Sequence, residues 1–203
     1  MPFSRLLLLA ISSKKYIAGK DKRDKLWVKP KAALSASSLD TYAGEVVLCF
    51  QLDDPDDQER QRHIAYSLGI EDESKRCDGL IFYARDDDDL KVICQAEMKS
   101  INLGEADKQL KSTRQAIENL LKNECGTYCA DELKRIQWKA CFYHNCSSPS
   151  EVAKVMKRLK DAEFDDVDNF QSSNSDVGPF LRGETDLRKR AENLRGKKGK
   201  RGR

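Results

Sequence analysis

Cys77-Asp-Gly-Leu-Ile-Phe-Tyr83, then Arg85-Asp-Asp-Asp-Asp89, then Leu90-Lys-Val-Ile-Cys-Gln-Ala-Glu-Met-Lys99 is the stretch on which the fold turns. Two apolar runs flank consecutive aspartates whose like charges are tolerable only in a solvated turn, so the segment reads as a β-hairpin. Side chains alternate along a strand, which puts Glu97 and Lys99 on one face. A tight hairpin brings Asp78, near the start of the first strand, to the same end of the sheet.

Beyond the hairpin, Ala106, Leu110, Thr113, Ile117, Leu120 and Leu121 recur at three- and four-residue spacing between Glu105 and Lys122, the period of an amphipathic helix. Ile136 to His144 reads as a strand rich in aromatics. Ser150 to Asp161 reads as a helix capped by Ser150, with Val152, Val155, Met156 and Leu159 inward. On the other side, Glu45 to Leu52 is a strand or a short buried helix, and Asp56 to Leu68 is a helix stopped by Gly69. The order helix, strand, strand, helix, strand, helix predicts an α/β domain, a central mixed β-sheet flanked by helices on both faces. That domain spans 41–170. Residues 1–40 form an N-terminal arm without assigned structure, and 171–203 a polar linker with a basic, mostly disordered C-terminal tail, too poor in apolar residues to offset its ordering entropy.

A chain of 203 residues is one domain with extensions. Its 37 basic and 34 acidic residues nearly cancel, so net charge says little about partners, but both termini are basic around an acidic middle. The tail, with Lys197, Lys198 and Arg201, has the composition of an arm that neutralises phosphates without reading sequence. The early apolar run Leu6 to Ile11 is too short for a signal peptide or a membrane span, and the expectation is a cytoplasmic protein without membrane contact. In that compartment the seven cysteines are free thiols or metal ligands. Cys125, Cys129, Cys141 and Cys146, with His144, offer a thiolate and imidazole set to Zn²⁺ or an iron–sulfur cluster. Their spacing lacks the two-residue knuckle, however, and Cys141 falls inside a strand, so buried thiols are the expected reading. Trp138 is expected in the core, Trp27 and His63 carry no claim.

Two carboxylates converging at a sheet edge make an oxygen-ligand site suited to Mg²⁺ or Mn²⁺. Such a cation stabilises charge on a phosphodiester and acidifies water, and a neighbouring lysine offsets transition-state charge or assists that water. The pattern Asp78-Gly79, acidic turn, Glu97-Met98-Lys99 and following helix resembles the core of the PD-(D/E)XK nucleases, over roughly residues 56–160. The resemblance implies a restriction-endonuclease-like core, with Asp78, Glu97 and the Met98 carbonyl as metal ligands and Lys99 beside the nucleophile. It further implies an acidic residue on the preceding helix, for which Glu59 is best placed, and Lys108 or Gln109 approaching the substrate backbone. Thr113 stands where one subgroup has Tyr, and no Pro precedes Asp78. The activity implied is metal-dependent hydrolysis of DNA, in a homo-oligomer or with a larger partner protein, as in bacterial antiviral defence or repair systems. The alternative is an inactive nucleic-acid-binding or assembly subunit of the same fold.

Overall fold

The computed structural model describes residues 26–28, 37–39, 45–52, 66, 68–70, 76–85, 90–99, 103–125, 130–145, 147–171 and 175–184. Its elements are β1 (Leu26–Val28), β2 (Ser37–Leu39), β3 (Glu45–Gln51), β4 (Gly79–Arg85), β5 (Leu90–Met98), α1 (Ala106–Cys125), α2 (Ala130–Lys134), β6 (Ile136–Tyr143), α3 (Pro149–Lys160), β7 (Asp166–Phe170), β8 (Ser175–Asp176) and α4 (Gly178–Leu181). The expected helix 56–68 lies almost wholly outside the described residues. Its stop, Gly69, has φ 70°, where a side chain would be strained, and donates its N–H to Tyr66 O at 3.0 Å.

Glu45 to Leu52, open between strand and helix in the sequence, is a strand. It begins a five-stranded sheet of order β3-β4-β5-β6-β7, in which β3, β4 and β5 run antiparallel while β6 and β7 continue parallel to β5. The domain is therefore α/β with a mixed sheet flanked by helices. A separate small sheet joins β1 to β2 and β2 to β8.

Alternation along the strands divides two cores. Leu80 and Phe82 of β4, Ile93 of β5, and Trp138, Ala140 and Phe142 of β6 face one side, covered by Leu110, Ile117 and Leu121 of α1 and Val155 and Leu159 of α3. Tyr83, Val92, Cys94, Met98, Cys141 and Tyr143 face the other, where Val177, Phe180 and Leu181 cover them. Helices lie on both faces, but unequally. The two long helices share a face, because β5-α1-β6 and β6-α3-β7 are consecutive crossovers in one direction and each right-handed crossover lands on the same side. Among the described residues the helix on the second face is the four-residue α4. Arg114 fastens the helices of the first face, with its guanidinium 5.2 Å from the Trp138 ring and 5.0 Å from the Phe164 ring, and Nη1 donating to Ala162 O at 2.8 Å.

Three local features are not evident from local pattern alone. The cap of α3 is Ser148 rather than Ser150: Ser148 Oγ accepts from Glu151 N–H at 3.3 Å, and Glu151 Oε2 accepts from Ser148 N–H at 3.2 Å. Pro149 explains the shift, since its fixed φ and missing N–H suit the first helical position. The acidic run 165–168 contributes to the edge strand β7, where Val167 is buried and Phe170 stacks on Tyr143 at 5.0 Å. Finally, within the polar linker Val177, Phe180 and Leu181 pack as core. Arg182 grips Glu45 through Nε–Oε1 (2.7 Å) and Nη2–Oε2 (3.0 Å), both side chains 2% exposed, and Tyr83 Oη donates to the same carboxylate at 2.7 Å. Gly178 permits this approach, because a Cβ there would lie 2.5 Å from Arg182 Nη1. No helix among the described residues is long and apolar enough to cross a membrane.

Phe180→Ala should cost about 3–5 kcal/mol, the scale for emptying a buried aromatic site, read as a lower urea midpoint. An unchanged midpoint would return 177–182 to the status of a linker.

Candidate active site

The register Gly79↔Ala96 sets the geometry: continued by one residue, it puts Asp78 opposite Glu97. Both lie on the face covered by α1 and α3. Asp78 Oδ2 accepts the Met98 N–H at 2.5 Å, and Asp78 N–H donates to Glu97 Oε2 at 3.3 Å. Lys99 Nζ stands 2.6 Å from Glu97 Oε1, with 27% of its side chain exposed while that of Glu97 is wholly buried. The hairpin register, on which the position of Asp78 depends in sequence, thus brings all three residues together.

Helix α1 is tied to this edge by polar contacts. Cys77 N–H donates to Thr113 Oγ1 at 2.9 Å. Gln95, fully buried and two residues before Glu97, donates Nε2 to Leu110 O (2.6 Å) and accepts the Arg114 N–H through Oε1 (3.0 Å) in the amide orientation that satisfies both ends. Those two backbone groups are i and i+4, one turn apart on α1, so the strand amide spans a turn of the helix.

The electrostatics follow from burial. Desolvation, reinforced by the Asp78 charge, pushes the Glu97 carboxyl up to about 8, against the opposing pull of Lys99. Burial works to lower Lys99, but Glu97, Asp78 and Glu105 outweigh it and leave its ammonium raised. The Cys77 thiol is pushed far up, first by burial and then by Glu97.

Gln109 sits on α1 one turn before Thr113, half-buried, its Oε1 without a hydrogen-bond partner. Lys108 does not join the cluster, being exposed and paired with Glu105 at 3.3 Å. Met98 sends its side chain to the second core and serves Asp78 through its backbone N–H. Glu59, His63, Lys197, Lys198 and Arg201 lie outside the described residues. So do Cys129, Cys146 and the Cys125 side chain. Cys141 is a buried thiol, 3.9 Å from the sulfur of Cys94, a neighbour the sequence spacing had not paired with it. Among the described residues, no group of three or more His, Cys, Asp or Glu gathers as a metal site. A cavity of about 400 Å³ lined by Leu121, Leu133, Ile136 and Trp138 lies at the opposite end of β6 and contains no such carboxylate pair.

No protein-family model, curated protein or solved structure matches this chain. The donor set must therefore speak for itself. Two buried acidic residues opposite each other across a hairpin, with the Glu97 carboxyl raised first by desolvation and then by the Asp78 charge, fit a hard divalent cation that would relieve their repulsion, with further ligands from water, a backbone carbonyl or substrate.

The carboxyl of Glu97 ionises near 4.5 in the unfolded chain and near 8 in the fold. Between those values folding must take up a proton, so this group makes stability fall as pH rises from about 4.5 to 8 and has no further effect outside that window. Glu97→Gln should match wild type in urea denaturation near pH 4.5 and exceed it at pH 8, by roughly 1–3 kcal/mol. Equal pH profiles for the two proteins would refute the buried-carboxyl assignment.

Proposed function

We propose that this chain is a metal-dependent nuclease with a restriction-endonuclease-like core, hydrolysing phosphodiester bonds in DNA. The observation that carries the reading is the contact of Asp78 with Glu97 across the β4–β5 register, with Lys99 on the Glu97 carboxylate. Support also comes from the layout around it, a hairpin feeding α1 and then the parallel strand β6, as the resemblance to PD-(D/E)XK nucleases requires.

Asp78 and Glu97 would hold Mg²⁺ or Mn²⁺, with the Met98 carbonyl as a backbone ligand. When bound, the cation supplies charge to the phosphate oxygens and lowers the pKa of water. The chain's own residues do the rest. Asp78, fixed by the Met98 N–H, keeps its carboxylate at the strand end. Lys99, its side chain about a quarter exposed, presents an ammonium to the charge that builds on phosphorus oxygens and orients the attacking water. Gln109, whose amide oxygen has no hydrogen-bond partner, would meet the substrate backbone or its water shell. The partner would be DNA, with a second copy or a larger protein directing it to its target, in a defence or repair setting. The rival reading is a binding or assembly subunit in which Lys99 and Glu97 merely neutralise each other.

Plasmid and linear DNA and an RNA of matched length, each with Mg²⁺, Mn²⁺ or EDTA, test the proposal. Wild type should cleave DNA only with metal, and Asp78→Asn, Glu97→Gln and Lys99→Met should each lose at least about 100-fold in kcat. Cleavage that survives EDTA, or that all three variants retain, would sink the nuclease reading.

A further inference from the structure

His144 follows β6 directly and continues its pairing on both sides. Its N–H donates to Phe170 O at 3.0 Å, and Lys99 N–H donates to Tyr143 O at 2.9 Å. The parallel register Met98↔Tyr143, continued by one residue, sets Lys99 beside His144, about 5 Å away by strand spacing. The imidazole lies on the same face as Phe142, their ring centroids 6.0 Å apart, and Phe142 belongs to the core under α1 and α3. That is also the face of Asp78, Glu97 and Lys99. His144 is 1% exposed, and its Nδ1 has no hydrogen-bond partner.

The other ring nitrogen explains what Nδ1 can do. His144 Nε2 is 3.5 Å from Asn169 Oδ1, while Asn169 Nδ2 faces Met156 Sδ at 3.3 Å. An amide oxygen can only accept, so Nε2 carries the hydrogen, and in the neutral ring Nδ1 is left as a bare acceptor. A buried acceptor without a donor is costly unless some state of the protein supplies one. The neighbouring donor in register is Lys99, whose ammonium now rests on Glu97 Oε1, the atom a bound cation would compete for.

We propose that His144 is a positioning residue that receives the Lys99 ammonium when Glu97 is taken up as a cation ligand, holding the lysine beside the attacking water. This rests on the nuclease reading. Asn169 fixes the tautomer, His144 presents Nδ1, and Lys99 exchanges one acceptor for the other without leaving the sheet edge. A lysine without a second acceptor would swing into solvent and lose its aim.

The chain has two histidines, so the ring nitrogens of His144 can be followed in ¹⁵N-histidine-labelled full-length protein. Mg²⁺ is titrated into wild type and Lys99→Met, with heats of binding measured in parallel. The expected result is that Nδ1 of His144 moves towards hydrogen-bonded values on Mg²⁺ binding in wild type and stays fixed in Lys99→Met. Mg²⁺ binding that leaves Nδ1 unmoved, or moves it equally in both proteins, overturns the inference alone. Absence of Mg²⁺ binding overturns the nuclease reading and this inference with it. In cleavage assays His144→Phe should lower kcat about 10- to 100-fold at unchanged KM for DNA, and His144→Gln, which keeps an acceptor, should recover most of it. A His144→Phe protein with wild-type kcat would contradict the role.

Discussion

The register between β4 and β5 is the constraint on which the rest of the molecule depends. Side chains have a period of two along a strand, so a slip of one residue would turn Glu97 into the second core and Met98 out of it. Gly79↔Ala96 prevents this because both faces are committed: Leu80, Phe82 and Ile93 are buried under α1 and α3, and Tyr83, Val92 and Cys94 under Phe180 and Leu181. Thr113 and Gln95 then fix α1 against the same edge by bonding to the Cys77 N–H and to the helix backbone. The carboxylate pair is thus a consequence of hydrophobic sorting in the hairpin rather than of attraction between its members.

Two buried acidic groups show how differently such a residue can be accommodated. Glu45 receives a bidentate guanidinium from Arg182 and a phenol from Tyr83, so both of its oxygens are used by donors of matching geometry. Glu97 receives one ammonium and one backbone N–H, too little to offset its burial and the facing Asp78 charge, so its carboxyl is raised. The first arrangement fastens the C-terminal segment to the sheet. The second sacrifices stability at neutral pH, a cost that makes physical sense where a cation or substrate completes the site.

Much of this was legible in the sequence where one strong period or charge run dominated. The hairpin was marked by aspartates 86–89, α1 by its apolar spacing, and the common face of Glu97 and Lys99 by strand alternation. Other features depend on partners far along the chain. β7 carries three acidic or amide residues in five and is a strand because Val167 and Phe170 find places beside β6. The segment after β7 looks polar, yet Val177, Phe180 and Leu181 fill a face that no long helix among the described residues covers. The Ser148 cap was hidden by a serine two residues on, and Pro149 decided between them. His144 read only as a member of a cysteine set, because its relation to Lys99 comes from parallel pairing across the α1 crossover, which no local pattern encodes.

The most direct test of the site is anomalous diffraction from crystals grown with Mn²⁺. The account predicts a peak roughly 2.2 Å from carboxylate oxygens of both Asp78 and Glu97, with Lys99 Nζ moved off Glu97 Oε1. Crystals at saturating Mn²⁺ with no peak between these two residues, and Lys99 still seated on Glu97, would contradict it.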